Sequence, residues 1–190
     1  MEGSAAASTA ASKAVVAWAR RQNTARLSDM PALLSEVNAA VGKALRKKGQ
    51  GGATTLACAL VSRDGCVVAT VGDSEVLAVD YSGPACRLNQ LDHLPARPNM
   101  LLAWIDGDVE VEPHLIELET LPHRLCLVTD GVSQAVDGQR LANLLRDAPP
   151  SKAAEVLVIE ALSGGATDDV TALVLAPRVL LNSSRSAVSE

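Results

Sequence analysis

The beginning of the chain has the hydrophobic spacing of two α-helices. The stretch from Ala5 to Arg21 contains no Gly or Pro, and its apolar residues recur at helical intervals. A second helix is predicted to begin after Ser28 or Asp29, either of which can cap it, with Pro31 in its first turn. Gly49 is the predicted end of this helix. Its apolar face consists of Leu33, Leu34, Val37, Val41 and Leu45.

From Gly51 onward the helical spacing gives way to short β-rich segments that are separated by turn residues. An adjacent Asp and Gly mark several of these turns. Residues 89–99 are rich in Asn, Asp and Pro and are predicted to form a loop. Strands are predicted at Thr54–Ser62, Cys66–Val71, Val76–Asp80, Ala85–Leu88, Leu101–Ile105, Val109–Val111, His114–Leu118 and Arg124–Thr129.

The last third of the chain returns to helical spacing before one final strand. Asp137 is predicted to cap a helix that runs to Arg146, and Ser151 a helix that runs to Leu162. The final strand is predicted at Val170–Leu175. Helices and strands are thus grouped along the chain rather than alternating, which is typical of an α+β fold with antiparallel sheets.

The composition is that of a globular domain, and it excludes several functional classes. Of the 190 residues, 48% are hydrophobic and 21% are charged, which argues against intrinsic disorder. The net charge of -5 and the 2% of aromatic residues argue against binding to duplex or single-stranded nucleic acid. No apolar run approaches the roughly 18 residues of a membrane span. We therefore expect neither nucleic acid nor membrane as a partner.

The four cysteines are expected to be buried free thiols. Cys58, Cys66, Cys86 and Cys126 form no C-x-x-C pair, and each has apolar neighbours in the sequence. The three histidines are scattered, so the clustered Cys and His of a zinc site are not found. Because reduced thiols persist in the cytosol, the cysteines favour a cytoplasmic protein.

Carboxylates lie close to Gly at the ends of several apolar strands. Asp73, Asp130, Asp168 and Asp169 each precede or follow such a strand. If the strands are neighbours in one sheet, these carboxylates can converge on one edge, where they must protonate or bind a cation. Ligand sets made only of oxygen select hard ions such as Mg²⁺ or Mn²⁺. The alternative is that these residues belong to ordinary turns, in which Asp and Gly are common.

Four segments of the chain resemble, in the same order, the motifs of the metal-dependent PP2C-type (PPM) Ser/Thr protein phosphatases, including their bacterial branch. Gly52–Ala57 is similar to the "G-T-T-A" strand and Val71–Ser74 to the "G-D-S-R" turn. Leu127–Val132 is similar to the "L-C-T-D-G" strand and turn, and Asp168–Leu175 to the "D-N-x-T" strand. The resemblance implies an antiparallel β-sandwich flanked by helices over residues 1–178, followed by a polar tail at 179–190.

The resemblance also implies a function: a protein Ser/Thr phosphatase that hydrolyses phosphomonoesters with metal-bound water, and whose cofactor is Mg²⁺ or Mn²⁺. Asp130 and Asp168 correspond to metal ligands of the family. Asp73 corresponds to a ligand of a weaker third metal or to a structural acceptor, and Gly131 is expected to contribute to binding of the metal cofactor. Asp169 and Ser74 are expected to support the ligands rather than to bind the metal.

Two departures from the family pattern lower the expected activity. The family carries "R-x-x-N-E-D" and "D-G-x-G-G" segments before its first helix, with a phosphate-binding Arg and the Asp that bridges two metals, whereas this sequence starts at Met1. The expectation is therefore a fold that is truncated at its N-terminus. Gln134 stands where many members place an acid for the third metal. We expect the isolated chain to bind divalent metal weakly and to hydrolyse phosphate esters poorly or not at all.

Three interpretations remain open. The chain is a truncated phosphatase whose missing segment lies upstream or on another chain, or a pseudophosphatase that acts as a regulatory or binding module, or an unrelated α+β domain. The partner is expected to be a phosphoprotein substrate, or a kinase or other protein that the chain regulates. A sheet edge left uncovered by missing strands would also favour self-association.

Overall fold

The computed structural model describes residues 2–22, 26–62, 65–94 and 97–177, and the predicted polar tail at 179–190 lies outside them. The chain divides into two compact units. Unit 1 comprises Met1–Asp73 and Gln90–Glu117, and unit 2 comprises Ser74–Asn89 and Leu118–Glu190. The single domain over residues 1–178 stays a prediction.

The elements confirm the grouping of helices and strands that the sequence predicts. No helix in the described part of the chain is both long and apolar enough to cross a bilayer. In chain order the elements are α1 (Glu2–Ala19), α2 (Met30–Lys48), β1 (Leu56–Ser62), β2 (Gly65–Val71), β3 (Glu75–Val79), β4 (Cys86–Arg87), β5 (His93–Leu94), β6 (Arg97–Leu101), β7 (His114–Leu118), β8 (Arg124–Val128), α3 (Asp130–Ser133), α4 (Gly138–Asp147), α5 (Pro150–Ser163) and β9 (Ala172–Leu175).

Unit 1 packs the helices α1 and α2 against a three-stranded sheet with the order β1-β2-β7. The strands β1 and β2 are antiparallel, with Leu56 opposite Val71. Gly49 ends α2 in the left-handed conformation, at φ 62°, as predicted. The prediction of a side-chain cap on α2 is wrong, because Asp29 makes no capping hydrogen bond and a 3₁₀ turn precedes the helix.

The segment between β4 and β7 differs from the prediction in two ways. Part of the predicted loop at 89–99 forms the hairpin of β5 and β6. The predicted strand at 109–111 is absent from the described segment, and Ile105 makes only an isolated bridge, to Thr54. A turn was expected at Asp106-Gly107, and the Asp106 carboxylate extends it into the start of the expected strand by accepting the backbone N–H groups of Asp108 and Val109.

Unit 2 holds four antiparallel strands in the order β4-β3-β8-β9, with α4 and α5 packed on them. Asp137 caps α4 as predicted, since its carboxylate accepts the N–H groups of Gln139 and Arg140. The predicted cap of α5 at Ser151 is wrong. That helix already begins at Pro150, whose missing N–H costs nothing in the first turn.

The cysteines are buried in three cases of four. Burial raises the pKa of the Cys58 and Cys66 thiols to about 11 and that of Cys126 to about 12, so these side chains behave as small apolar groups. The expectation for Cys86 is wrong, because this residue is exposed on the short edge strand β4.

The core of unit 2 gives a direct test of its packing. Leu157 is fully buried on α5, whereas Leu162 on the same helix is 59% exposed. We expect Leu157→Ala to lower the free energy of unfolding by about 2–5 kcal/mol, because it leaves a cavity. Leu162→Ala should change it by less than about 0.5 kcal/mol. Urea unfolding measures both, and equal losses would contradict the described burial.

Candidate functional site

The pairing of β8 with β9 brings Asp130 and Asp168 to the same edge of the sheet. The two strands are antiparallel, and Val128 at the end of β8 lies opposite Ala172 at the start of β9. The residues that follow β8 and those that precede β9 therefore leave the sheet side by side. Asp130 is the first residue of α3, a single turn that sequence reasoning did not predict.

Hydrogen bonds of Thr129 join the segment before β9 to the end of β8. Its hydroxyl donates a hydrogen bond of 2.8 Å to the Asp169 carbonyl and accepts one of 2.9 Å from the Thr171 N–H. Its backbone N–H also donates to the Thr171 carbonyl, at 3.1 Å. Sequence reasoning did not single out Thr129 or Thr171, although both lie inside motifs that it quoted.

Gly131 is required by the close approach of two backbones. A Cβ atom at this position would lie 2.8 Å from the Asp169 carbonyl oxygen and 3.3 Å from that of Asp168. Any side chain at position 131 would therefore push the Asp168 segment away from Asp130. The structure places Gly131 beside both candidate ligands, and its described role is to let them approach.

The two carboxylates interact electrostatically. Asp130 is half-buried and Asp168 is exposed. Burial raises the pKa of the Asp130 carboxyl above its ordinary value, and the negative charge of Asp168 raises it further. The backbone N–H groups of Gly131 and of Asp130 itself lower it in part. The arrangement thus disfavours the anionic form of Asp130, and a bound cation would favour it.

Hydrogen bonds orient both side chains. Gln134 Nε2 donates to Asp130 Oδ2 at 3.2 Å, and the backbone N–H of Asp169 donates to Asp168 Oδ1 at 2.7 Å. Asp169 thus contacts its neighbours through its backbone: the N–H to Asp168 and the carbonyl to Thr129. Its own carboxylate is on the exposed surface.

Ser74 lies in unit 2 and is held by a residue that sequence reasoning left in a loop. Asn89 is buried; its Nδ2 donates to the Ser74 carbonyl at 3.0 Å, and its Oδ1 accepts the Val76 N–H at 2.8 Å. These two hydrogen bonds of Asn89 fix the start of β3. A buried Asn in a polar segment gives no periodic signal, so only the tertiary structure reveals it.

Asp73 lies at the end of unit 1, in the turn after β2. Gly72 adopts φ 97°, and its N–H donates to Asp92 Oδ2 at 2.8 Å. The other oxygen of Asp92 contacts His114 Nε2 at 2.7 Å. The turn that carries Asp73 is therefore tied to β7 through an Asp–His pair.

The donor set fits one hard divalent cation. Mg²⁺ is commonly held by one or two carboxylates, with water and substrate oxygens completing its coordination. Asp130 and Asp168 supply two carboxylates, and no Cys or His of the described residues joins them as a third ligand. Within the described residues no three His, Cys, Asp or Glu side chains gather as a metal cluster. The pair alone thus provides part of the coordination sphere of a single ion.

Comparison with known proteins gives consistent matches. The model of the family described as protein phosphatase 2C matches residues 1–162. The serine/threonine phosphatase stp of Listeria welshimeri is 28% identical over 158 residues, which cover 72% of this chain and 61% of the relative. The chain thus spans about three-fifths of the length of this curated relative.

Solved structures agree with the fold. The serine/threonine phosphatase PstP/Ppp of Mycobacterium tuberculosis superposes with a TM-score of 0.75 at 23% identity, over 88% of this chain and 81% of that one. The catalytic domain of PstP in complex with 2 manganese ions gives a TM-score of 0.73 at 24% identity, over 86% and 79%. The predicted α+β fold with antiparallel sheets is confirmed.

The Thr129 contacts can be tested by removing only the hydroxyl. We expect Thr129→Val to lower the free energy of unfolding by about 1–2 kcal/mol, because the Asp169 carbonyl and the Thr171 N–H lose their partner. Thr129→Ser keeps the hydroxyl and should lose less than about 1 kcal/mol. Urea unfolding measures both, and a Val variant as stable as the Ser variant would contradict the described contacts.

The raised pKa of Asp130 predicts a pH-dependent stability. The folded chain binds this proton more tightly than the unfolded chain, so the contribution of Asp130 to stability is present below its ordinary pKa of 3.8 and is lost as pH rises through the raised value. With EDTA present, we expect Asp130→Asn to unfold at higher urea than the wild type at about pH 7 and at a similar concentration near about pH 3.

The control for this measurement is Glu155→Gln, which removes an exposed acid of the same unit. Its stability relative to the wild type should change little between the two pH values, since an exposed ion pair contributes about 0–1 kcal/mol. An Asp130→Asn variant that is less stable than the wild type at neutral pH would contradict the raised pKa.

Proposed function

Because the chain belongs to the protein phosphatase 2C family, we propose that it is a metal-dependent phosphatase domain that removes phosphate from phosphoserine and phosphothreonine in proteins. The observation that carries the proposal is the convergence of Asp130 and Asp168 at one sheet edge, with the pKa of Asp130 raised by burial and by its neighbour. Perturbed carboxylates of this kind are typical of functional sites.

Asp130 and Asp168 would hold a Mg²⁺ or Mn²⁺ ion between them. The PstP catalytic domain is described in complex with 2 manganese ions, and this pair would correspond to part of such a centre. When bound, the ion supplies a Lewis acid for the phosphoryl oxygens and lowers the pKa of the water that it holds. A second ion needs oxygen ligands beyond these two.

The residues around the pair have positioning roles in this proposal. Gln134 and the Asp169 N–H each donate to one ligand oxygen, which turns the remaining lone pairs toward the ion. Gly131 permits the approach of the two ligand segments. Asp73, at the turn supported by Asp92, would serve a further and weaker ion, as the family resemblance implies.

A binding module without turnover is the second candidate. The contact of Gln134 Nε2 with Asp130 Oδ2 is the observation that favours it, because the amide occupies an acceptor site of a ligand and adds no negative charge. In this form the chain would recognise a phosphoprotein, or a kinase or partner that it regulates. A cytoplasmic setting suits either candidate.

Manganese binding tests the proposed ligands. We expect Mn²⁺ to raise the melting temperature of the chain, because an ion that binds only the folded state stabilises it. Asp130→Asn and Asp168→Asn should each weaken Mn²⁺ binding at least about tenfold in calorimetric titration. Glu155→Gln is the matched control, since it removes one exposed negative charge and should leave Mn²⁺ affinity unchanged.

Turnover separates the two candidate functions. We expect slow Mn²⁺-dependent release of phosphate from a phosphothreonine peptide, which both ligand variants abolish and Glu155→Gln retains. Mn²⁺ binding without release of phosphate would favour the binding module. If Mn²⁺ changes neither the melting temperature nor turnover, the proposed metal site is wrong.

A further inference from the structure

A segment of unit 1 carries a concentration of negative charge. Residues 106–117 contain five acidic residues and no Lys or Arg, in a chain whose net charge is -5. The rest of the chain is therefore close to neutral. We call this stretch the acidic segment; its acids are Asp106, Asp108, Glu110, Glu112 and Glu117.

Not all of these acids are available to a partner. Asp106 accepts the Trp104 Nε1–H and two backbone N–H groups, and Asp108 lies 3.8 Å from an Arg46 nitrogen. Glu110 and Glu112 are exposed, and within the described residues neither carboxylate has a hydrogen bond or ion pair. The charges of Glu110 and Glu112 are thus free to interact with a cationic partner.

These two acids border an apolar groove within unit 1. The groove has a volume of about 340 Å³ and lies between α2 and the acidic segment. Its floor is formed by Leu34, Val71 and Ile105, which are all buried. Leu115 on β7 contributes an apolar wall and is 38% exposed. A groove of this size accommodates one or two apolar side chains.

The groove is held open by contacts that join its two sides. Asn38 on α2 donates from Nδ2 to the Val109 carbonyl at 3.1 Å, and its Oδ1 accepts the Gly107 N–H at 2.9 Å. Gly107 has φ 88° and approaches Gly42 so closely that a Cβ would lie 2.1 Å from the Gly42 Cα. A partner would therefore meet a preformed surface, which reduces the cost of ordering.

We propose that this groove docks a segment of another protein in which an apolar side chain is flanked by Lys or Arg. The apolar side chain enters the groove against Leu34 and Ile105. The flanking cations lie over Glu110 and Glu112, whose charges attract the segment and fix its register. The chemistry of the groove selects this occupant, since an acidic segment would be repelled by the same two carboxylates.

This inference goes beyond the proposed phosphatase activity. The groove shares no residue with the pair Asp130 and Asp168, and docking needs neither metal nor phosphate. Binding should therefore be unchanged in Asp130→Asn. The two tests are independent. Absence of Mn²⁺ binding would not affect the docking result, and absence of peptide binding would not affect the Mn²⁺ result.

The test uses the full chain and a fluorescein-labelled peptide of the sequence Gly-Arg-Gly-Leu-Gly-Arg-Gly, followed by anisotropy. We expect saturable binding that weakens with salt. Replacing Leu by Gly in the peptide, or both Arg by Glu, should weaken binding at least about tenfold. In the protein, Glu110→Gln with Glu112→Gln should weaken it about fivefold. Leu115→Ser should also weaken peptide binding, because it removes the apolar wall of the groove.

The matched control is Asp147→Asn with Glu155→Gln, which removes two exposed negative charges from unit 2. It should leave peptide affinity within about twofold of the wild type. Equal losses in the control and in the Glu110 and Glu112 variant would mean unspecific attraction and would overturn the proposal. The proposal would also be overturned if the peptide without Leu bound as tightly as the peptide with Leu. Dimers in sedimentation that Leu115→Ser dissolves would identify a second copy as the occupant instead, which also overturns it.

Discussion

The antiparallel pairing of β8 with β9 is the interaction on which the candidate site depends. It places the end of one strand beside the start of the other, and the Thr129 hydroxyl joins the two chain segments just beyond the sheet. These backbone contacts place the segments that carry Asp130 and Asp168 side by side, where burial and the negative charge of Asp168 raise the pKa of the Asp130 carboxyl. A bound cation would offset this effect.

The groove of unit 1 depends on contacts between α2 and the acidic segment rather than on strand pairing. Two glycines and one Asn join α2 to the acidic segment, so that apolar floor and charged border occupy fixed positions. A strand was expected at residues 109–111. Instead, this part of the chain is held against α2 by the close packing of Gly42 on Gly107 and by the two hydrogen bonds of Asn38. After the turn at Asp106, the chain places Glu110 and Glu112 at the border of the groove.

The fold could be predicted where hydrophobic spacing is long and regular. Both N-terminal helices, the strands around Cys58 and Cys126, and the end of α2 at Gly49 follow from periodicity and from turn chemistry. Prediction was wrong where a side chain competes with the backbone or where strands are short. Asp106 extends its turn by accepting two further N–H groups, and the paired strands β5 and β6 have too few residues for an alternating pattern.

The sequence by itself determined the secondary-structure classes, the low aromatic content and negative net charge, and the motif residues from which Asp130 and Asp168 were selected. Those are local properties of residue type and spacing. Only the tertiary structure decided that the segments carrying these two carboxylates leave the sheet side by side, that Thr129 and Asn89 hold the neighbouring segments, and that Asp92 pairs with His114. These contacts join residues far apart in the chain, and their geometry depends on strand order and register, which periodicity does not encode.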